Sequence, residues 1–436
     1  MRPAFKRYVL LSCLLAAAMG YFYFALFLPY AHTKLETANL NRGYHYGCDF
    51  FPLWLTSRQL VQSRKNPYMP ETTNQIQVGL YGRTLNQPGD PPANYRAFAY
   101  PLYADFLALP VASIPFTTVQ AIGSVLFPLI FICSCWLWLR FLNLSLAPTR
   151  LFSFLALTLV SYPVLEGIYA LQPSLIVALL LAGTAAAMAR NRLILAGVLL
   201  ALASVKPQLI AILTLWLLAW VVSDFRHRRK FAFSFFATLV ALFSASQLAV
   251  PGWLASWIRS LTEYRKYTDP PLSQFALGTI AGNLFTIGVL AIGAVIAFRS
   301  RRANPDSSQF ATTFSYLLAI TVLIAPSSIA VYDHILLMPA ILSLLSRKDA
   351  VLRGGRPIRI LALAVTAAVF WQWLAAAGVA LYCLAFPEIR HSAWIMLPLR
   401  MAASVPFAVV ALWLFLLWKG ELSDPATLAK SPVPSG

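Results

Sequence analysis

Residues 193–222 read LILAGVLLALASVKPQLIAILTLWLLAWVV. Whether this stretch crosses a membrane once or twice fixes the side on which everything after it lies. Arg190 and Arg192 stand before it, and Arg226, Arg228, Arg229 and Lys230 follow it. Basic residues collect on the cytoplasmic side of membrane spans, so basic clusters at both ends argue for two crossings. The turn then falls at Lys206 and Pro207. Each arm is shorter than the roughly 17 to 25 residues of a full span. Short arms imply a hairpin whose tip stops below the outer surface and lines a cavity.

Working outward, composition agrees with a chain built mainly of such segments. It is 59% hydrophobic and 11% charged, with a mean hydropathy of +0.69, well beyond a soluble domain. The expected class is an all-α polytopic membrane protein. A net charge of +19 could indicate a nucleic-acid partner, but most Lys and Arg fall in the segments assigned to one side, which is the positive-inside bias instead. The five cysteines, Cys13, Cys48, Cys133, Cys135 and Cys383, lie mostly in apolar runs, where packing is the usual role. Cys133 and Cys135 point in different directions on a helix, which speaks against a metal pair.

Alternating sides gives twelve spans with both termini cytoplasmic. Residues 8–30 cross outward as a retained helix, since no small-residue cleavage pattern follows. An outer loop, 31–97, is too long for a simple connector and reads as functional. Residues 98–115, FAYPLYADFLALPVASIP, are broken by Pro101, Pro110 and Pro115 and read as re-entrant or interfacial. Spans follow at 117–142, 151–168, 172–189, the two arms of 193–222, then 230–251, 277–298, 309–326, 330–346, 360–385 and 392–418. One membrane domain thus covers 1–420, and the Pro-containing 421–436 is expected to be a disordered cytoplasmic tail. No inverted repeat is evident, which weighs against a transporter.

Acids at membrane depth are costly and therefore functional candidates. Asp49, Asp105, Glu166 and Asp333 fall on the expected outer side, and with Lys206 they describe a polar cavity opening outward. Asp49 opens DFFPLWLTSRQLVQSRKNPY in the long loop. Followed by Phe50 and with Pro52 in the first turn, it suits the N-cap of an amphipathic helix running to about Arg64. Phe50, Leu53, Trp54, Leu60 and Val61 form the apolar half, so the helix is expected to lie flat in the interface. That would hold an acid at the cavity rim, so capping and catalysis both stay open. Asp105 reads as satisfying a backbone break.

The sequence DFFPLWLTSRQLVQSRKNPY, then IQVGLYGR (76–83), FAYPLYADFLALPVASIPF (98–116), LQPSLIVALLLAG (171–183), AGVLLALASVKPQ (196–208) and IAPSSIAVYDHILLMPA (324–340) resembles glycosyltransferase family 87, whose members include polyprenyl-phosphate-dependent mannosyltransferases. The resemblance covers about 45–345. Pro173 stands where the family usually has Asn, and a single Pro101 where it often has two prolines. What the resemblance implies is a C-type glycosyltransferase architecture, with a catalytic acid in the first outer loop matched by Asp49. The implied donor is a sugar, a hexose such as mannose, on a polyprenyl phosphate drawn from the lipid bilayer. The implied acceptor is a glycolipid or glycan on the outer face of the cell membrane.

In that setting Asp49 would act as general base on the acceptor hydroxyl, and fixed cations would stabilise the leaving phosphate. Candidate cations are Lys206, His334, Arg58 and Arg96; a lysine near a helix end also snorkels, and the Asp333 and His334 pair also suits a helix cap. Asp333, Glu166, Gln172 and Tyr332 are candidate sugar or acceptor contacts. Trp253, Trp257, Arg259, Tyr264, Arg265, Lys266 and Tyr267 suit either carbohydrate stacking or an ordinary aromatic belt. There is no phosphate-cradling Gly-rich loop and no Asp-Xaa-Asp; Asp90 stands alone in the turn PGDPP. A metal-independent, cofactor-free reaction is expected. Two alternatives remain: a polyprenyl-diphosphate-dependent envelope polysaccharide ligase or polymerase, disfavoured because the largest outer loop is the first, and a non-enzymatic lipid-linked-sugar transporter or flippase.

Overall fold

The computed structural model describes residues 3–37, 40, 45–85, 90, 95–328, 330–347, 351 and 355–418. The expected tail, 421–436, lies outside them, as do the neighbours of Asp90 in its turn; Asp90 itself pairs with Arg83, Nη2 to Oδ1 at 2.5 Å. The described residues form helices and connecting loops, with one isolated bridge between Pro271 and Ser327.

The first helix is longer than the apolar run suggests. α1 (Pro3–Tyr21) passes through a π-helical turn at Phe22–Phe27 into α2 (Leu28–Thr37). In the loop that follows, α3 (Phe51–Ser63) and α4 (Pro70–Tyr81) both begin with a proline in the first turn and end on a left-handed residue, Arg64 and Gly82. Prolines break 98–115 into two short 3₁₀ turns, Leu102–Leu107 and Leu109–Val111.

Then come α5 (Phe116–Phe141), α6 (Pro148–Leu159), α7 (Tyr162–Tyr169), α8 (Pro173–Ala189), α9 (Leu193–Ala203), α10 (Pro207–Val222) and α11 (Phe225–Ala249). α12 (Trp253–Tyr264) and α13 (Leu272–Leu277) precede α14 (Thr279–Arg299) and α15 (Ser308–Ile324). A 3₁₀ stretch, Val331–Leu337, leads into α16 (Met338–Ser346); α17 (Arg356–Ala385), another 3₁₀ stretch at Ala393–Leu399, and α18 (Ser404–Trp418) complete the described chain. Six segments are long and apolar enough to cross a bilayer, or seven if α6 and α7, bent by 60°, count as one. Shorter apolar helices occupy the other expected positions. The 151–168 span is therefore a broken one, interrupted at Val160 and Ser161, where Pro163 follows.

The 193–222 stretch is two helices, as its basic flanks require. The start of α9 and the end of α10 return to the same end of α11: a Cβ on Gly197 would stand 2.4 Å from the Phe231 carbonyl oxygen, and Trp220 packs edge-on against Phe231. Arg228 locks that end, donating to the carbonyls of Trp220 and Arg301 at 2.6 and 3.0 Å. Close backbone approach through small residues is how helices gain packing energy where lipid removes the hydrophobic drive. α8, with its Ala182-to-Ala187 run, and α15 are the buried axes of the bundle.

α3 departs from the expectation of a helix lying flat in the interface. Most of its apolar side is covered by protein, Val61 staying exposed: Leu53 is fully buried, and Trp54 Nε1 donates to the Ile114 carbonyl at 3.1 Å. Thr56 and Ser57, polar residues on the same side, reach Asp105, the first through its carboxylate and the second through its carbonyl, each at 2.7 Å. The helix thus docks on the broken 98–115 segment. Asp105 serves as the anchor of that docking as well as part of a backbone break.

Candidate active site

The turn at 45–50 sets the position of Asp49. Gly47 takes φ +80°, a conformation glycine adopts without strain. Its N–H donates to the Tyr169 carbonyl at 2.7 Å, and the Asp49 N–H to that of Ala170 at 3.1 Å. The loop is thereby strapped to the junction of α7 and α8. Asp49 is not the cap of α3: Phe50 holds that position and no side chain caps the helix. Because the backbone of Asp49 is tied to Ala170, its carboxylate turns toward α8.

There it meets two donors. Arg96 Nη1 donates to Oδ1 at 2.5 Å and Gln172 Nε2 to Oδ2 at 2.7 Å. Tyr100 OH donates to Gln172 Oε1 at 3.4 Å, and Cys48 Sγ lies 3.8 Å from Asp49 Oδ1. Arg96 and Leu171, the residue before Gln172, both sit in the left-handed region at φ +53° and +50°. Non-glycine residues are held there only when surrounding structure demands it, commonly at functional sites. Burial works against the Arg96 cation, but the facing Asp49 carboxylate outweighs it and holds the guanidinium well above its ordinary range. Burial pushes the Cys48 thiol up, and Asp49 pushes it further. Tyr81 and Tyr264 stand close enough to Arg96 and Asp49 to feel both charges, and burial raises each phenol.

A second cluster begins two residues along from Gln172. Ser174 donates to Asp333 Oδ1, and Lys206 Nζ reaches Ser174 Oγ at 2.6 Å and Asp333 Oδ1 at 3.4 Å. All three are buried. Lys206, at the start of α10, also lies over the Tyr332 ring, 4.9 Å from its centroid. Tyr332 is within electrostatic reach of both Asp49 and Asp333. The hairpin tip is thus inside the protein, as short arms imply, and its lysine faces the head of α8.

Other expected residues lie elsewhere. Arg58 stacks over Trp54 at 5.4 Å from the ring centroid and makes no ion pair with Asp49. His334 leaves the Lys206 cluster on the other side of its 3₁₀ turn and lines a largely apolar cavity of about 400 Å³, with Phe154, Leu157, Val365, Trp371 and Met401. Glu166 Oε2 accepts from Tyr23 OH at 2.9 Å, in the π-helical turn of the first helix. Among the described residues, no three His, Cys, Asp or Glu side chains converge as metal ligands. Sequence reasoning missed Ser174 and Tyr100, and it named Tyr264 only within the aromatic and basic loop, without its place beside Arg96 and Asp49. Ser174 and Tyr100 lie inside the quoted LQPS and FAYP runs, so their positions were in view without their roles.

The family model described as Glycosyltransferase family 87 matches residues 98–327, more than half of the chain. The chain belongs to glycosyltransferase family 87. The match takes in Tyr100, Gln172, Ser174 and Lys206; it begins beyond Asp49 and Arg96 and stops before Asp333. With its set of spanning-length apolar helices, this family 87 member is a membrane glycosyltransferase. No curated protein and no solved structure matches it.

Proposed function

We propose that the protein transfers one sugar, a hexose such as mannose, from a polyprenyl-phosphate carrier to a hydroxyl of a glycolipid or glycan at the outer face of the cell membrane. The observation that carries this reading is the head of α8. Gln172 and Ser174 there join a carboxylate, Asp49, to a buried cation, Lys206. A direct displacement needs such a pair: a base on the acceptor side and positive charge on the leaving side.

In this reading Asp49 receives the acceptor proton as the hydroxyl oxygen bonds to the anomeric carbon. The bond from that carbon to the phosphate oxygen breaks with inversion, and polyprenyl phosphate leaves with its electron pair. Lys206 and Arg96 supply the charge that offsets the developing phosphate, in a site mostly shielded from water. The hydroxyl becomes acidic as its oxygen forms the new bond, so a late proton transfer to the Asp49 carboxylate suffices. Tyr332 and Asp333, both beside Lys206, are assigned to sugar and acceptor contacts. The apolar cavity beside His334 is a suitable medium for the first isoprene units of the carrier, and in this reading His334 faces the lipid rather than the sugar.

The test is transfer by the purified, reconstituted protein from polyprenyl-phosphate hexose to a glycolipid acceptor, read by mass spectrometry. Asp49→Asn is expected to lower turnover by about 10²- to 10⁴-fold, the usual contribution of a positioned base, with insertion and folding intact. Near-normal turnover in that variant would remove Asp49 from the role. Transport of the lipid-linked sugar with no covalent product would instead favour the flippase reading.

A further inference from the structure

α5 and α8 both begin at the candidate active site, and at their other ends they enclose a second cavity. It measures about 760 Å³ and lies between the last turns of α5 and α8 and the start of α6. From Ser174 to Arg190, α8 rises roughly 24 Å at 1.5 Å per residue, so this cavity is separate from Asp49 and Lys206. Its walls are apolar, through Ile132, Leu139, Leu151 and Leu155, and its rim carries Arg140, Arg190 and Asp306.

The rim charges are uncommitted. Among the described residues neither Arg140 nor Arg190 forms an ion pair, and neither does Asp306. Arg140 rests over the Trp136 ring, 5.4 Å from the centroid, and both side chains line the cavity. Trp136 is itself 52% exposed on a helix of spanning length, so the cavity opens sideways, where lipid would lie. Two cations over apolar walls select a ligand with an anionic head and a hydrocarbon body. A free phosphate or a nucleotide would leave those walls in contact with water.

We propose that this cavity is a binding site for an anionic phospholipid. The phosphate sits between Arg140 and Arg190, and the acyl chains follow Ile132 and Trp136 on one wall and Leu151 and Leu155 on the other. Asp306 would repel a bare phosphate but accepts a hydrogen bond from a headgroup hydroxyl. That favours a phosphatidylglycerol-type lipid, a phosphodiester with an alcohol hydroxyl, over polyprenyl phosphate, a more highly charged phosphomonoester with no such hydroxyl. Arginines that merely snorkel to the headgroup layer would attract anionic lipid without retaining one molecule at a saturable site.

Native mass spectrometry of the full-length protein tests this, with phosphatidylglycerol, phosphatidylcholine and polyprenyl phosphate added separately in detergent. Wild type is expected to retain phosphatidylglycerol saturably and in preference to the other two. R140Q/R190Q is expected to bind it on the order of tenfold more weakly, since each basic residue near a lipid surface contributes appreciably, while remaining folded by its unfolding temperature. D306N is expected to narrow the margin between phosphatidylglycerol and polyprenyl phosphate. Equal retention of phosphatidylglycerol and phosphatidylcholine, or undiminished retention by R140Q/R190Q, would overturn the site. Preferential retention of polyprenyl phosphate by wild type would overturn its assignment to a phospholipid.

Discussion

Asp49 and Asp333 are held by the same helix start: Gln172 donates to the first at 2.7 Å, and Ser174, on the other side of Pro173, donates to the second. The proline removes one N–H from the first turn of α8 and sets its backbone angle, leaving the two flanking side chains to reach in different directions. One short segment therefore governs the separation between the proposed base and the proposed phosphate site.

Removing the amide of Gln172 should leave Oδ2 of Asp49 without its donor in a mostly buried setting. An unmet hydrogen bond to a charged group costs about 1–3 kcal/mol, so Gln172→Ala should lower kcat roughly 10-fold or more. Gln172→Glu should be worse, since it sets a second carboxylate against Asp49. Steady-state kinetics on the reconstituted protein would show whether the loss falls on kcat. An effect confined to KM would mean that Gln172 binds sugar and does not position Asp49.

Lys206 and Asp333 allow charge pairing and phosphate binding to be separated. Neutralising either partner alone strands the other in the interior, at about 3–5 kcal/mol. Both Lys206→Met and Asp333→Asn should therefore lower the unfolding temperature. The double variant should recover much of that stability, yet remain inactive if Lys206 stabilises the leaving phosphate. Activity returning together with stability would make the pair purely structural.

Much of this arrangement could be read in advance, and the reasons differ by level. Long apolar runs and their basic flanks report on the bilayer, so the helices and the hairpin at Lys206 were legible. Asp49 was legible as an acid in an unusual place, but its N-cap reading failed because its backbone is tied to Ala170, a contact across more than a hundred residues that no local pattern encodes. Arg96 was expected to bind phosphate, and its pairing with Asp49 was not foreseen. Ser174 carries no signal of its own: a serine after proline at a helix start is ordinary until Lys206 and Asp333 are brought beside it. α3 was misjudged because its buried polar face, Thr56 and Ser57, has meaning only once Asp105 is opposite.

The Cys48 thiol gives a stability signature in alkali. Burial and the adjoining Asp49 carboxylate hold its proton more tightly in the folded state than in the unfolded chain. Its contribution is thus fully present below the unfolded value, about 8.5, and is lost as pH rises above it toward the folded value. The unfolding temperature of wild type should fall more between pH 8 and 10 than that of Cys48→Ala. Parallel curves for the two proteins would show that the thiol titrates alike in both states.

A reaction driven by side-chain charge alone should tolerate loss of divalent ions. Transfer after exhaustive treatment with EDTA should stay within about twofold of the untreated rate, and added magnesium or manganese should not raise it. This follows from the proposal that Lys206 and Arg96 meet the phosphate charge directly. A rate abolished by EDTA and restored by one metal would require a ligand set that Asp49 and Asp333 would have to share.

Gly123, in the second turn of α5, reaches the proposed base through a chain of contacts. A Cβ at Gly123 would stand 2.6 Å from Cδ2 of Leu171, and one at Gly47 would stand 3.2 Å from its Cδ1. The two glycines together form the socket that holds Leu171 in its left-handed conformation, and Leu171 presents Gln172 to Asp49. Gly123→Ala should force the leucine to shift and loosen the bond from Gln172 to Asp49, lowering kcat about 10-fold by the same loss as Gln172→Ala. Leu171→Ala, which empties the socket, should partly restore turnover when combined with Gly123→Ala, although each change alone is harmful. Such coupling between residues in contact is what a double-mutant cycle measures. Strictly additive losses in kcat would show that Gly123 serves only to pack α5 and has no part in aiming Gln172.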